Sequence, residues 1–535
     1  MKSYPKKIKK LMADSTFLSA SELAERLREG DFSARDVVEA HIRRIEAVNP
    51  QLNAVVISLF DQARAQAEEA DKKHARGDLL GLLHGVPMTI KEQYRVAGTQ
   101  ITLGATHQIG NVYNDEGPLV TALRRAGAII LGKTNIIQTL AGWECDNHVY
   151  GRSNNPWNLA RTPGGSSGGE GAIIAAGGSV LGMAGDFGGS IRVPAHFCGV
   201  HGLKPTSGRL TNDDLAPDLL RNGQEAFIPQ PGPIARTVAD LQLAMNTFAE
   251  TSLNVTHDVV PPVPWTDPKQ VQVEGMRIGF YTDNGFFPTS PAIRRAVEEA
   301  AGALRQQGAS VARYTPPDAA EAVRIFLGAA SAGGGKDYHR LLGNEKPIPQ
   351  VAGLFRGFSP PPAFLMSIVQ KLMMSRGQRH LAYIVQHTGA RSAEKYWEIV
   401  EARTKYRAQF YRSLDEGGFD AILCPPAALP ALAHGSSEHL FPAFSYAFTY
   451  NVLGAPAGVV AASRVRPGEE SDRAVSKDMA DITAQQVEQG STGLPVGVQV
   501  VAPHWREDIV LAVMAALEEH FKKQPDYPAK PPVLH

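Results

Sequence analysis

The residues best suited to chemistry lie between Pro163 and Pro205. One run reads Gly164-Gly165-Ser166-Ser167-Gly168-Gly169-Glu170, the other Asp186-Phe187-Gly188-Gly189-Ser190-Ile191-Arg192. Each sets a serine among glycines. Glycine permits positive-φ turns and close backbone approach, so such a loop can aim a hydroxyl and several N–H groups at one point. Acyl transfer needs that combination, a nucleophile together with donors for the oxyanion its attack creates. Small residues from Gly171 to Gly185 join the two runs, which suggests one site made from both. The group that would activate the serines is not in the block.

A candidate stands upstream. Lys91 ends the otherwise apolar segment that starts at Gly85-Val86-Pro87. At the surface it would be an ordinary cation. Desolvated in a serine-lined site, it would shed its proton and become a base. Lowering its pKa from about 10.4 towards 7 costs roughly 1.4 kcal/mol per unit.

Other motifs carry less. Gly127 to Thr134 fits the P-loop expression of a nucleotide binder, but its Ala-Ile-Ile-Leu reads as a strand and not as a loop with free N–H groups. Gly164 to Gly168 fits the nucleophile elbow of α/β hydrolases, yet turn formers from Asn154 to Pro163 precede it where a strand is required. A Ser-His esterase using His196 or His201 is the competing enzyme class. His196, Cys198 and His201 are of metal-ligand type without a fourth ligand at zinc spacing, so structural roles near a tight turn are the plainer reading.

The elements that must hold these residues read as α/β. Ser19-Ala20-Ser21-Glu22 and Ser33-Ala34-Arg35-Asp36 are helix caps, and Val37, Val38, His41, Ile42 and Ile45 follow at helical spacing. Amphipathic helices are expected over 19–73. Strands are expected at Gly85–Lys91, Ala128–Leu131, Met276–Tyr281, Phe419–Cys424 and Leu494–Val501, with helices at Leu119–Arg125 and Ile293–Gln307. A proline-rich connection covers 251–274, and the charged stretch Arg464–Gln489 reads as a surface loop or extended hairpin.

Bulk properties narrow the function. Lysine plus arginine equal aspartate plus glutamate at 54 each, so there is no basic field for nucleic acid. The five lysines within Met1–Lys10 form a solvated tail with no signal-length apolar run after it, and no segment reaches the roughly 20 apolar residues of a membrane span. Three widely spaced cysteines, Cys145, Cys198 and Cys424, suit a reducing compartment and a cytoplasmic protein.

Taken together, Gly85-Val86-Pro87-x-x-x-Lys91, Gly-Gly-Ser166-Ser-Gly-Gly and Asp-x-Gly-Gly-Ser190-x-Arg resemble the amidase signature family. Cys198-Gly199-x-x-Gly202-Leu203-Lys204-Pro205-Thr206 closes the block. The likeness extends through Arg44-Ile45-x-x-Val48-Asn49-Pro50 and Leu494-Pro495-Val496-Gly497-Val498-Gln499, so it covers nearly the whole chain. It implies one domain, a large mixed central β-sheet with helices on both faces, and a signature core over about 80–250. Ser167 to Ala172 and Arg391-Ser392-Ala393-Glu394-Lys395-x-Trp397 are similar to fatty acid amide hydrolases, aryl acylamidases and urethane-cleaving members. A glutamyl-tRNA amidotransferase-like subunit is the alternative within the family.

The resemblance implies roles by position. Ser190 is the nucleophile, and Ser166, preceded by a cis peptide bond, relays protons between it and Lys91. Backbone N–H groups of Phe187, Gly188 and Gly189, with Ser190, face the oxyanion. Leu140 lies beside the acyl group, while Asp186 and Arg192 brace the loop as an ion pair. No metal or cofactor is implied. For a carbamate, either bond to the carbonyl is open to cleavage.

Around Pro360-Pro361-Pro362, Leu354, Phe355 and Phe358 precede Phe364, Leu365, Ile368, Val369, Leu372 and Met373, an apolar helical face flanked by Met366 and Met374. Core packing or a homodimer contact would use such a face. So would a hydrophobic cap at about 350–376 over the entrance for a hydrophobic amide, anilide or carbamate.

Overall fold

The computed structural model describes residues 15–214, 224–250, 260–358 and 363–532. The basic N-terminal tail, residues 251–259 of the proline-rich connection, Pro360–Pro362 and the side chain of Phe364 lie outside the described residues.

Thirteen strands are described. They are β1 (Val55–Ser58), β2 (Pro87–Lys91), β3 (Thr99–Gln100), β4 (Val112–Tyr113), β5 (Ile129–Thr134), β6 (Leu181–Asp186), β7 (His201–Lys204), β8 (Gln230–Ala235), β9 (Arg277–Phe280), β10 (Ser310–Arg313), β11 (Ala421–Cys424), β12 (Ala457–Arg464) and β13 (Pro495–Val501). Eleven form one mixed sheet in the order β1-β5-β2-β6-β8-β7-β12-β13-β11-β9-β10, and β3 and β4 pair separately. β2 runs parallel to both β5 and β6, with Ile90 opposite Met183. This register brings the C-terminal ends of the interior strands β2 and β6, at Lys91 and Asp186, to the same end of the sheet.

The central strands are buried along their whole length, as expected of a sheet covered by helices on both faces. The helix Gly168–Ala175 is buried along its whole length, which its small side chains allow. A second apolar cluster, with Ile101, Ile136, Ile137, Leu341, Val351 and Phe355, sits beside the main core. It carries the helix Pro349–Phe358, and Leu140 packs against it.

Several expectations need correction. The helical stretch expected over 19–73 is interrupted: Ala20–Glu29 and Ala34–Leu52 are followed by β1 before Phe60–Arg76 resumes. The Asn49 side chain causes the break, accepting from the N–H groups of Ala54 and Val55 and donating to Val55 O. The supposed surface stretch Arg464–Gln489 contains the helix Met479–Glu488, capped by Asp478. It also contains a buried Glu488, which Arg473 neutralises at 2.9 Å.

The hydrophobic face expected in the cap is divided. In the helix Ala363–Ser375, Val369 and Met373 line the main cavity, whereas Leu365, Ile368 and Leu372 are exposed.

Candidate active site

β2 delivers Lys91 to a position 1% exposed. Its Nζ donates to Ser166 Oγ at 2.7 Å and lies 3.4 Å from Gly185 O. Burial lowers its pKa to about 7, against the opposing pull of Asp186. An ammonium has three donors, and few acceptors surround this one, so the neutral amine gains. Ser166 follows a cis Gly165–Ser166 peptide and leads into the helix Gly168–Ala175.

The second run starts where β6 ends. Gly189 has φ +109°, a conformation that favours glycine, and it turns the chain so that Ser190 reaches the main cavity. Asp186 organises this turn. Its carboxylate accepts from the N–H groups of Gly189 (2.7 Å) and Ile191 (3.1 Å), from Arg192 Nε and Nη2 (3.0 Å each) and from Asn451 Nδ2 (2.9 Å). Burial alone would raise its pKa, but Arg192 and Asn451 hold it well below the ordinary carboxylate range.

Arg192 also donates to Gln499 on β13, to Ala447 O and to Asn451. The Asp186–Arg192 pair is therefore present, fully buried, and wired to strand β13 and the helix Ser445–Leu453, both far away in sequence.

The N–H of Gly189 donates to Asp186 Oδ1 at 2.7 Å. Among the described residues no such bond engages the N–H groups of Phe187, Gly188 or Ser190.

Leu140 and Ser190 both line one cavity of ≈ 460 Å³. Thr139 and Leu140 each have φ +61°, a left-handed backbone held in part by the Thr139 N–H bond to Leu103 O at 2.7 Å. Aromatic rings dominate the walls: Trp143, Phe187, Phe326, Phe358 and Phe441.

Two residues with strong roles had weak signals in the sequence. Glu170 ends the first glycine–serine motif, and it is a buried carboxyl receiving the Thr89 hydroxyl at 2.7 Å and the Thr134 hydroxyl at 2.9 Å. Burial pushes its pKa up to about 8. A lone acid inside a run of glycines and alanines was the available sign. Trp143 lies in no motif of the sequence. Its indole N–H donates to Gly188 O at 2.9 Å, and its ring stacks on Phe444 at 4.2 Å.

The weaker motifs fall elsewhere. Lys133 lies on β5, donates to Gln100 O at 2.7 Å and is buried, and its flanking backbone is paired in the sheet. Nothing there is free to cradle phosphate. His196 accepts from Gly497 N–H and donates to Leu429 O, and His201 faces Glu518 at 3.3 Å. These are structural partners.

An amidase family model matches residues 36–511. The chain is 34% identical over 514 residues to fatty-acid amide hydrolase 1 of Sus scrofa, covering 94% of this chain and 85% of that one. It is 30% identical over 514 residues to an acetamidase of Aspergillus oryzae, covering 92% and 88%. A solved fatty acid amide hydrolase superposes with TM-score 0.81 at 26% identity, over 97% of this chain and 91% of that one. A bacterial aryl acylamidase of the amidase signature family shares the fold, with TM-score 0.72, 23% identity and coverage of 96% and 98%. No described helix is long and apolar enough to cross a membrane. The matched family, the mixed eleven-stranded sheet and the lysine–serine pair at the end of its strand β2 agree: the chain belongs to the amidase signature family and is an amide hydrolase.

Proposed function

We propose that the enzyme hydrolyses hydrophobic amides, anilides or carbamates through an acyl-enzyme on Ser190, with Ser166 and Lys91 as its proton relay. The observation that carries this reading is the 2.7 Å bond from a buried Lys91, its pKa near 7, to Ser166. An amine near neutrality both accepts and returns a proton at physiological pH.

In the first half-reaction the Ser190 oxygen bonds to the substrate carbonyl carbon while its proton passes through Ser166 to Lys91. The oxyanion meets N–H groups from Phe187, Gly188 and Ser190. The C–N bond then breaks, and Lys91 returns the proton through Ser166 to the departing amine, which avoids an amide-anion leaving group. Water next attacks the acyl carbon, gives its proton to the relay and releases the acid, restoring Ser190. For a carbamate the first product is an alcohol or an amine according to which bond breaks.

The aromatic cavity supports the substrate class. Leu140 would flank the acyl chain, and Phe358, Val369 and Met373 would form the cap side of the entrance. The fatty-acid amide hydrolase relatives favour the same class, and the small-amide acetamidases mark its alternative. Three buried free cysteines fit the reducing cytoplasm.

A fluorophosphonate probe should label Ser190 stoichiometrically and fail on Ser190→Ala. Labelling that persists on the variant would overturn the nucleophile assignment. A panel of long-chain amides, aryl anilides, aryl carbamates and acetamide should show kcat/KM rising with apolar size. Preference for acetamide would reject the hydrophobic class.

A further inference from the structure

Trp143 touches the oxyanion loop at a point that decides its geometry. The peptide unit between Gly188 and Gly189 is held at both ends: its oxygen accepts from the Trp143 indole N–H at 2.9 Å, and its N–H donates to Asp186 Oδ1 at 2.7 Å. A peptide is planar, so fixing both poles fixes the plane. The plane in turn sets ψ of Gly188 and φ of Gly189, and with them the directions of the neighbouring Gly188 and Ser190 N–H groups. Glycine at both positions would otherwise let this unit rotate at little cost.

Trp143 is itself immobilised. Its ring lies parallel to Phe444 at 4.2 Å with an 8° tilt, and edge-on to Phe441 at 5.4 Å. The next residue, Glu144, anchors the chain on the other side, its carboxylate accepting from Gly435 N–H at 2.8 Å and Ser437 N–H at 3.0 Å. Segment 142–145 therefore ties the aromatic wall of the cavity to the oxyanion loop.

We infer that Trp143 is a positioning residue that presets the oxyanion donors through its hydrogen bond to Gly188, beyond its service as a cavity wall. The inference rests on the assignment of the loop around Ser190 as the acyl-transfer site. Preset donors stabilise charge that exists only in the transition state and are not paid for by reorganisation during the reaction. The loss should therefore fall on kcat and spare ground-state binding.

Two variants test this. Trp143→Phe keeps an aromatic ring without the N–H. Replacing Trp143 by 3-benzothienylalanine keeps the full outline of the indole and removes only the donor, so it answers the question even if the phenylalanine variant folds poorly. Each should lower kcat about tenfold, less than the 10²–10³ typical of deleting a direct oxyanion donor. KM and the competitive affinity of the product acid should stay within about twofold. Affinity for a trifluoromethyl ketone analogue, whose adduct with Ser190 carries the oxyanion, should fall in parallel with kcat.

A raised KM with unchanged kcat and ketone affinity would reduce Trp143 to a wall and overturn the inference. Unchanged parameters throughout would overturn it as well. Ser190→Ala, assayed alongside, separates the two levels. If that variant remains active, the site assignment itself fails. If it is inactive while both Trp143 variants behave as wild type, only the role of Trp143 falls.

Discussion

The two sides of the site are built on opposite principles. On the sheet side, Lys91, Ser166, Asp186, Arg192 and Glu170 are fully or almost fully buried, and hydrogen bonds from distant segments constrain them. On the opposite side, Val369 and Met373 are half-buried on the helix Ala363–Ser375, which has no fully buried side chain among the described residues, and their contribution is apolar surface. Directional bonds fix atoms to within tenths of an ångström. Apolar contact fixes volume and little else. The comparison implies that chemistry should be brittle to substitution and substrate choice pliable.

The largest break in that contrast is expected at Lys91. Lys91→Met should cut kcat by about 10²–10⁴-fold, the usual worth of general acid–base catalysis. In the wild type the neutral amine accumulates only above pH about 7. The kcat/KM profile should therefore fall about tenfold per unit below that point and level off above it. Flat activity down to pH 5 would remove Lys91 as the base.

Asp186→Asn comes next. It leaves the Arg192 guanidinium uncompensated in a fully buried position, which costs about 3–5 kcal/mol, measurable by urea denaturation. The sign with pH follows from its depressed pKa. Stabilisation is present above the unfolded value of about 3.9 and is lost as pH falls through the lower folded value. A variant as stable as wild type at pH 7 would show that the ion pair does not brace the fold.

On the helix Ala363–Ser375, Met373→Ala should raise KM for a long-chain amide about three- to tenfold, leave kcat within about twofold and change stability by less than about 1 kcal/mol. A fall in kcat as large as that of Lys91→Met would erase the distinction between the two sides.

The smallest effect is expected at Glu170, although it lies on the brittle side. Burial raises its pKa to about 8, so it is protonated at pH 7 and Glu170→Gln replaces one neutral group by another. Activity at pH 7 should stay within about threefold. A raised carboxyl pKa makes wild-type stability decline as pH climbs from the unfolded value of about 4.3 towards 8. The glutamine variant should lose that decline, as thermal melts across this range would show.

Much of the sheet side was legible in the sequence because its signals are local. Lys91 closing an apolar strand, serines among glycines and the Asp-x-Gly-Gly-Ser-x-Arg turn all state their own conformation. Other elements were not legible. β6, rich in glycine and alanine, lacks strand-forming side chains, and its small residues make room for a neighbour: a side chain on Gly182 would collide with Glu170. β8 contains Pro231 and Pro233, which speak against a central strand, yet it lies between β6 and β7. The divided face of the helix Ala363–Ser375 was hidden because an apolar side chain does not announce whether a cavity or the surface receives it.

The sequence by itself determined the family and the bond class, because turn-forming motifs encode backbone shape within a few positions. Only the tertiary structure decided that Lys91 is buried with its pKa lowered to about 7, that the Gly189 N–H is taken by Asp186, and that Trp143 grips Gly188. Burial and long-range hydrogen bonds are sums over segments hundreds of residues apart. No local pattern contains those sums, and folding alone assembles them.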